Sequence, residues 1–194
     1  MEQTIQAILG RRSIRKYKNI PISEEERNTI LEAGLYAPSG GNCQYARFTV
    51  IESPEQLTRL KQLVESEFAK MEITEGMYKS KVHAINAAKK GNYDFIYGAP
   101  TLIIVTNKRG HGNAMADSAA AIENMLLAAT AMNIGTCWIN QLTWITDSSA
   151  LREVIQKYGI GEDEVICGSV ALGYSDQQPS KAAPRKEGRI KIID

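Results

Sequence analysis

The most constraining stretch of this 194-residue chain is residues 117–133, which is apolar on nearly every side of a helix. Ala119, Ala120, Ala121, Ile122, Met125, Leu126, Leu127, Ala128, Ala129, Ala131 and Met132 leave few positions suited to water. Such a helix must be covered on most of its surface, either deep within its own fold or by a second copy of the chain. Gly135 follows as the expected stop, because glycine takes the left-handed conformation past a last helical turn without a Cβ clash. Upstream, residues 101–106 (Thr-Leu-Ile-Ile-Val-Thr) form a continuous apolar run rich in β-branched side chains, the pattern of a central strand buried on both faces.

Weaker signals fill in the rest. Ile5, Ile8 and Leu9 predict a short helix over residues 2–9. Ser23 and Glu26 form a capping box that starts a helix running to about Tyr36. Residues 47–52 read as a strand, and Ser53 with Pro54 starts a helix carrying Leu57, Leu60, Leu63 and Val64. Residues 136–140 and 165–172 read as strands separated by a helix over 149–158. The tail, residues 189–193, alternates polar and apolar like an edge strand available to a partner's sheet. Residues 70–92 are polar and lysine-rich with breaks at Gly76 and Gly91, which predicts a surface excursion of modest stability and a candidate lid. No repeat or linker divides the chain, so residues 1–194 read as one α+β domain.

Charge and cysteine content remove several function classes. Lys plus Arg number 23 against 22 Asp plus Glu, which gives no reason to expect a nucleic acid or an anionic membrane as partner. Cys43, Cys137 and Cys167 are scattered and odd in number, against a disulfide framework, zinc ribbon or iron–sulfur cluster. With no basic, apolar leader and no apolar run near the roughly 20 residues a span needs, a cytoplasmic protein is expected. Two histidines, His83 and His111, are too few for a His-rich metal site, and no metal is expected. There is no G-x-S-x-G or P-loop, and Gly110-His111-Gly112 reads as a turn because Met115 stands where a dinucleotide fingerprint needs its third small residue.

Chemistry concentrates in four places. Arg11, Ser13 and Arg15 share one face of an extended strap, a good grip for phosphate, with a solvated basic turn as the alternative. Arg185 and Lys186 make a second cationic cluster that alone would pass for a surface turn. The loop Pro38-Ser39-Gly40-Gly41-Asn42-Cys43-Gln44 combines glycines for close approach with donors and acceptors, although it also serves as a helix-stop loop. Thr136, Cys137 and Trp138 either aim N–H groups and an indole at a ring system or pack as a core strand. Cys137 suits packing better than redox chemistry. Lysines 79, 81, 89 and 90 read as a solvated helix face or as an attractor for an anionic cofactor such as NADPH.

The order of these elements resembles the nitroreductase family over nearly the whole chain. The strap from Arg11 to Arg15, the loop from Ala37 to Gln44, Tyr97-Gly98-Ala99-Pro100 before an apolar strand, the Ala-rich helix ending in Gly135-Thr136-Cys137-Trp138, and Gly173-Tyr174 before Pro184-Arg185-Lys186 carry it. The resemblance implies an α+β fold with a mainly antiparallel central sheet flanked by helices, in an intertwined homodimer holding FMN at its interface. It further implies that Arg11, Arg12, Ser13 and Arg15 contact the flavin phosphate, ribityl chain and pyrimidine edge. Pro38, Ser39, Asn42 and Gln44 would come from the other subunit, Thr136, Cys137 and Trp138 would flank the ring near N5, and Arg185 and Lys186 would complete the phosphate site. NADH or NADPH would reduce the flavin, and a small acceptor such as a nitroaromatic or quinone would reoxidise it in a ping-pong cycle, the alternatives being a flavin-binding sensor or assembly protein without turnover, or a specialised oxidase or dehydrogenase on the same fold. Flavin N5 would perform the chemistry, so no catalytic side chain is implied. The chain departs from the common pattern after Gln44, where Tyr45-Ala46 replaces a frequent Pro-Trp pair.

Overall fold

The computed structural model describes residues 3–194, so the expected helix start at Glu2 lies outside the described residues. Its centre is a four-stranded sheet, β1 (Arg47–Ile51), β2 (Thr101–Lys108), β3 (Gly135–Ile139) and β4 (Glu164–Gly173), in the order β1-β2-β4-β3 with every neighbour antiparallel. The apolar run of 101–106 does occupy the middle, and every residue of β2 but the last is buried. Its alternate side chains serve two cores. Leu102 and Ile104 pack with α3 (Pro54–Ala69), α4 (Lys79–Lys90) and α7 (Ser149–Gln156). Ile103 and Val105 pack with α2 (Glu24–Leu35) and α5 (Ala114–Ala131) on the opposite face. Short helices α1 (Gln3–Gly10) and α6 (Gln141–Trp144) complete the chain, with α1 lying against α5.

Local chemistry sets the helix boundaries. Ser23 Oγ accepts from the Glu26 N–H, and the Glu26 carboxylate accepts from the Ser23 N–H at 2.8 Å and from the Tyr174 hydroxyl at 2.7 Å. Those donors, the Ser23 backbone first, hold the Glu26 carboxyl below its ordinary value. Ser53 and Ser148 cap α3 and α7 through their hydroxyl oxygens alone, which accept from the Gln56 and Leu151 N–H groups.

Two sequence expectations are revised, for the long apolar helix and for residues 70–92, while the tail stands outside the sheet of its own chain. The long apolar helix begins at Ala114, and its stop is Asn133, not Gly135: Asn133 takes φ 58°, and the Ile134 N–H closes back on the Ala129 carbonyl at 2.8 Å. Gly135 opens β3 instead, where a Cβ would lie 3.0 Å from Ile14 Cγ1 and 3.1 Å from the Gly173 carbonyl. The tail over 189–193 forms no strand in the single chain, and Ile190, Ile192 and Ile193 stand exposed. The lysine-rich segment 70–92 is not surface throughout. It carries α4, whose Ala84, Ile85 and Ala88 are buried beneath the lysines in contact with α3.

Candidate functional site

The site begins with the strap between α1 and α2. It runs extended, bridging β3 at Ser13 and Thr136 and reaching the end of β4 at Tyr17 and Ser175. The Ile14 N–H donates to the Thr136 carbonyl at 2.8 Å, and the buried Tyr17 hydroxyl donates to the Ile14 carbonyl at 2.8 Å. Ile14 is buried over Gly135, so the flanking side chains of Ser13 and Arg15 point to the opposite side of the strap.

There they line a cavity of about 290 Å³ with Arg11, Arg12 and Arg185, walled further by residues 180–183. No carboxylate lines it. The two basic clusters separated in sequence thus meet, although Lys186 lines neither this cavity nor the next. The arginines are differently committed. Arg12 donates to the carbonyls of Leu9, Arg11 and Ser180, tying the strap to α1 and the tail. Arg11 stands 3.7 Å from Glu123.

Arg15 lines a second cavity of about 380 Å³ together with Lys79, Ser80, His83, Tyr93, Tyr97 and Gln141. Its guanidinium carbon sits 5.8 Å from the centre of the Tyr97 ring. Tyr97 is held there in a left-handed conformation, φ 59°, that a non-glycine residue adopts at a cost of about 1–3 kcal/mol. Asp94 supports it: one carboxylate oxygen accepts from the Ile96 N–H and the other from the Gly98 N–H, each at 3.0 Å. Gln141 donates to the Tyr93 hydroxyl at 2.6 Å, and burial pushes the Tyr93 phenol up to about 12. Tyr93, Gln141 and Asp94 were not singled out from sequence, and only the Tyr97-Gly98 pair in the family pattern marked this turn.

The three β3 residues divide between the two faces of the sheet. Cys137 belongs with the α3–α4 core, and burial, partly offset by Arg15, raises its thiol pKa and keeps it protonated. The Trp138 indole packs on the α5 side, with its N–H donating to Asn140 Oδ1 at 2.8 Å. Thr136 Oγ1 is buried with no hydrogen-bond partner among the described residues.

The glycine loop stands apart. Pro38, Ser39 and Gln44 line a cavity of about 190 Å³ between α2, β1 and α5 that shares no residue with the two above. Within one chain, the loop and the strap do not form a common site. The loop is internally tied: Gln44 donates through its side chain to Asn42 Oδ1 and through its N–H to Ser39 Oγ, both at 3.0 Å. Asn42 and Gln44 are themselves left-handed. Asp117 anchors the loop to α5 and is a further residue that sequence reasoning did not single out as functional.

A profile described as the Nitroreductase family matches residues 8–174. The chain belongs to the nitroreductase family. A protein of Archaeoglobus fulgidus named for NADH dehydrogenase or NAD(P)H nitroreductase is 32% identical over 174 residues, covering 90% of this chain and 86% of its own. The NADPH-flavin oxidoreductase of Vibrio harveyi is 27% identical over 99% of this chain and 73% of its own. A crystal structure of a nitroreductase with bound FMN from Bacteroides fragilis superposes with a TM-score of 0.90 at 35% identity, covering all of both chains. The α+β nitroreductase fold follows directly. Among the described residues of this nitroreductase, no helix is long and apolar enough to cross a membrane and no cluster of three or more His, Cys, Asp or Glu is placed to hold a metal ion.

Proposed function

We propose that this chain is an FMN-dependent oxidoreductase of the cytoplasm that takes hydride from NADH or NADPH and passes electrons to a small acceptor, a nitroaromatic or quinone, in a ping-pong cycle. The observation that carries the reading is the pair of cavities meeting at Arg15, one basic and one aromatic. The basic cavity has the donor chemistry a phosphate monoester needs: guanidinium forks from Arg11, Arg15 and Arg185 and the Ser13 hydroxyl, with no carboxylate in its lining and only Arg11 shared with a carboxylate, that of Glu123. The aromatic cavity offers a flat ring system the faces of Tyr93 and Tyr97.

Bound there, FMN would supply a hydride-accepting N5 that no side chain of this protein can replace. The protein's part is to bind, orient and tune. Arg11, Ser13, Arg15 and Arg185 hold the phosphate end, and Arg12 keeps the strap in position while adding charge. Lys186 contributes to the same positive field. Arg15 offsets negative charge as electrons arrive. A stabilisation of about 1–3 kcal/mol raises a two-electron potential by roughly 20–60 mV. Tyr93 stays protonated through neutral pH and keeps an O–H available for donation. Thr136, Cys137 and the Trp138 main chain form the floor, and the segment 70–92, through α4, acts as the lid.

The reading includes a homodimer in which Pro38, Ser39, Asn42 and Gln44 of one subunit meet the strap of the other. Support comes from apolar surface that one chain leaves uncovered: Ile5, Ile8 and Leu9 on α1, Leu35 and Tyr36 at the end of α2, and the tail isoleucines. The tail then adds to the partner's sheet. An anaerobic absorption spectrum of the purified protein, before and after NADH or NADPH, tests the proposal. A flavin band that bleaches is expected, and a protein that takes up no FMN when it is supplied would sink it. Sedimentation tests the dimer, which a stable monomer retaining flavin would overturn.

A further inference from the structure

The second cavity is unbalanced in charge. Arg15 enters from the strap and Lys79 and His83 from the N-terminal half of α4, while Tyr93, Tyr97 and Gln141 complete the wall and no Asp or Glu lines it. Among the described residues, neither Arg15 nor Lys79 has a carboxylate within ion-pair distance. Unlike Lys61 with Asp94, Lys70 with Glu67 and Lys16 with Asp176, these two cations face the cavity unneutralised. Cations of one sign gathered in a concavity concentrate an anion there more strongly than the same charges on a flat surface. The cavity also extends beyond the aromatic wall that would face the flavin ring, to the exposed Lys79 and His83, where a flat substrate stacked on that ring would arrive. Tyr97 is held in a strained conformation by Asp94 with its ring toward Arg15, and about 380 Å³ lies within the range of small-molecule sites.

We infer that this cavity selects planar substrates carrying an anionic group, with Lys79 as a specificity-determining cation beside the aromatic wall. The inference rests on the flavin reading above and narrows its substrate class. The anionic group has two chemical sources, a carboxylate on the electron acceptor or the 2′-phosphate of NADPH, and both would meet the same cations.

Steady-state kinetics on the flavin-loaded enzyme separate them. One arm compares 4-nitrobenzoate with the neutral, nearly isosteric 4-nitrobenzamide, and the other compares NADPH with NADH, each with wild type, Lys79→Gln and Lys79→Arg. The wild type is expected to favour the charged member of at least one pair by about tenfold in kcat/KM, the share of one charged contact. Lys79→Gln should bring that ratio close to one, chiefly through KM, and Lys79→Arg should restore most of it. A shift in the acceptor pair assigns the anion to the acceptor, and a shift in the nucleotide pair assigns it to the phosphate. Ratios near one in the wild type, or unchanged by Lys79→Gln in both arms, overturn the inference while leaving flavin reduction intact. A wild-type flavin that neither nucleotide bleaches overturns the underlying reading instead.

Discussion

The Gly40 N–H donates to Oδ1 of Asp117 at 3.0 Å, joining the glycine loop to the first turns of α5 across 77 positions of chain. The other oxygen of the same carboxylate lies 3.1 Å from His111 Nε2. A side chain at residue 40 would collide with Asn113, so the loop main chain lies directly on the helix start. The Gly40 bond first, and His111 after it, hold the Asp117 carboxyl below its ordinary value. A carboxylate lowered in the fold supports it above the unfolded value of about 3.9 and loses that support as pH falls through the lowered one. Asp117→Asn should therefore loosen the loop and release FMN more readily at neutral pH, and should flatten the loss of thermal stability below about pH 4. Flavin fluorescence and melting curves across pH check both effects.

Replacing Arg15 removes the one cation common to both cavities. Loss of one charge-assisted hydrogen bond, about 1.5–3 kcal/mol, should weaken FMN binding by roughly 10- to 150-fold in Arg15→Gln. Arg15→Lys should recover only part of this, since an ammonium has no planar fork to offer phosphate or the Tyr97 ring. Fluorescence titration of the apoprotein measures the difference.

Gly135→Ala places a methyl group 3.0 Å from Ile14 and 3.1 Å from the Gly173 carbonyl, with backbone on one side and a buried side chain on the other. The strap must lift to make room. A loss of about 1–3 kcal/mol in unfolding free energy is expected, together with weaker flavin retention. Denaturant unfolding of the apoprotein separates the first effect from the second.

Tyr17 fastens the strap from beneath, its hydroxyl 2.8 Å from the Ile14 carbonyl and 3.3 Å from that of Ala171. Tyr17→Phe should cost about 1 kcal/mol of stability. Burial raises the phenol pKa well above its ordinary value. Its contribution is therefore complete below the unfolded value of about 10 and declines as pH rises beyond it. The wild type should lose stability above pH 10 more steeply than the Phe variant, as urea midpoints at pH 8 and pH 11 would show.

Patterns that depend on near neighbours were readable in the sequence. The capping box at Ser23 and Glu26 and the buried run at 101–106 depend on local hydrogen bonding and continuous apolarity, and both lie where expected. The convergence of Ser13 and Arg15 follows from the pleat of an extended strap, while Arg11 and Arg12 join it from the end of α1. Features set by distant partners were not readable. Asn133 and Gly135 are both plausible helix stops, and only the approach of Ile14 decides that the glycine belongs to the strand. The apolar stripe of α4 is just Ala84, Ile85 and Ala88, thin enough to vanish among lysines. The carboxylates of Asp94 and Asp117 act on main-chain N–H groups, which leave no mark in sequence.

The basic cavity is built from both ends of the chain. The Arg15 N–H donates to the Gln177 side chain 162 residues away, and Arg12 Nε to the Ser180 carbonyl across 168. Such contacts close loops of 162 and 168 residues, at an entropy cost that hydrogen bonds within a helix or a tight turn do not carry. Without residues 180–185 the cavity lacks one wall. A phosphate-bearing ligand held between the two ends would therefore couple the strap to residues 177–185, tightening two segments that no shared helix or strand joins.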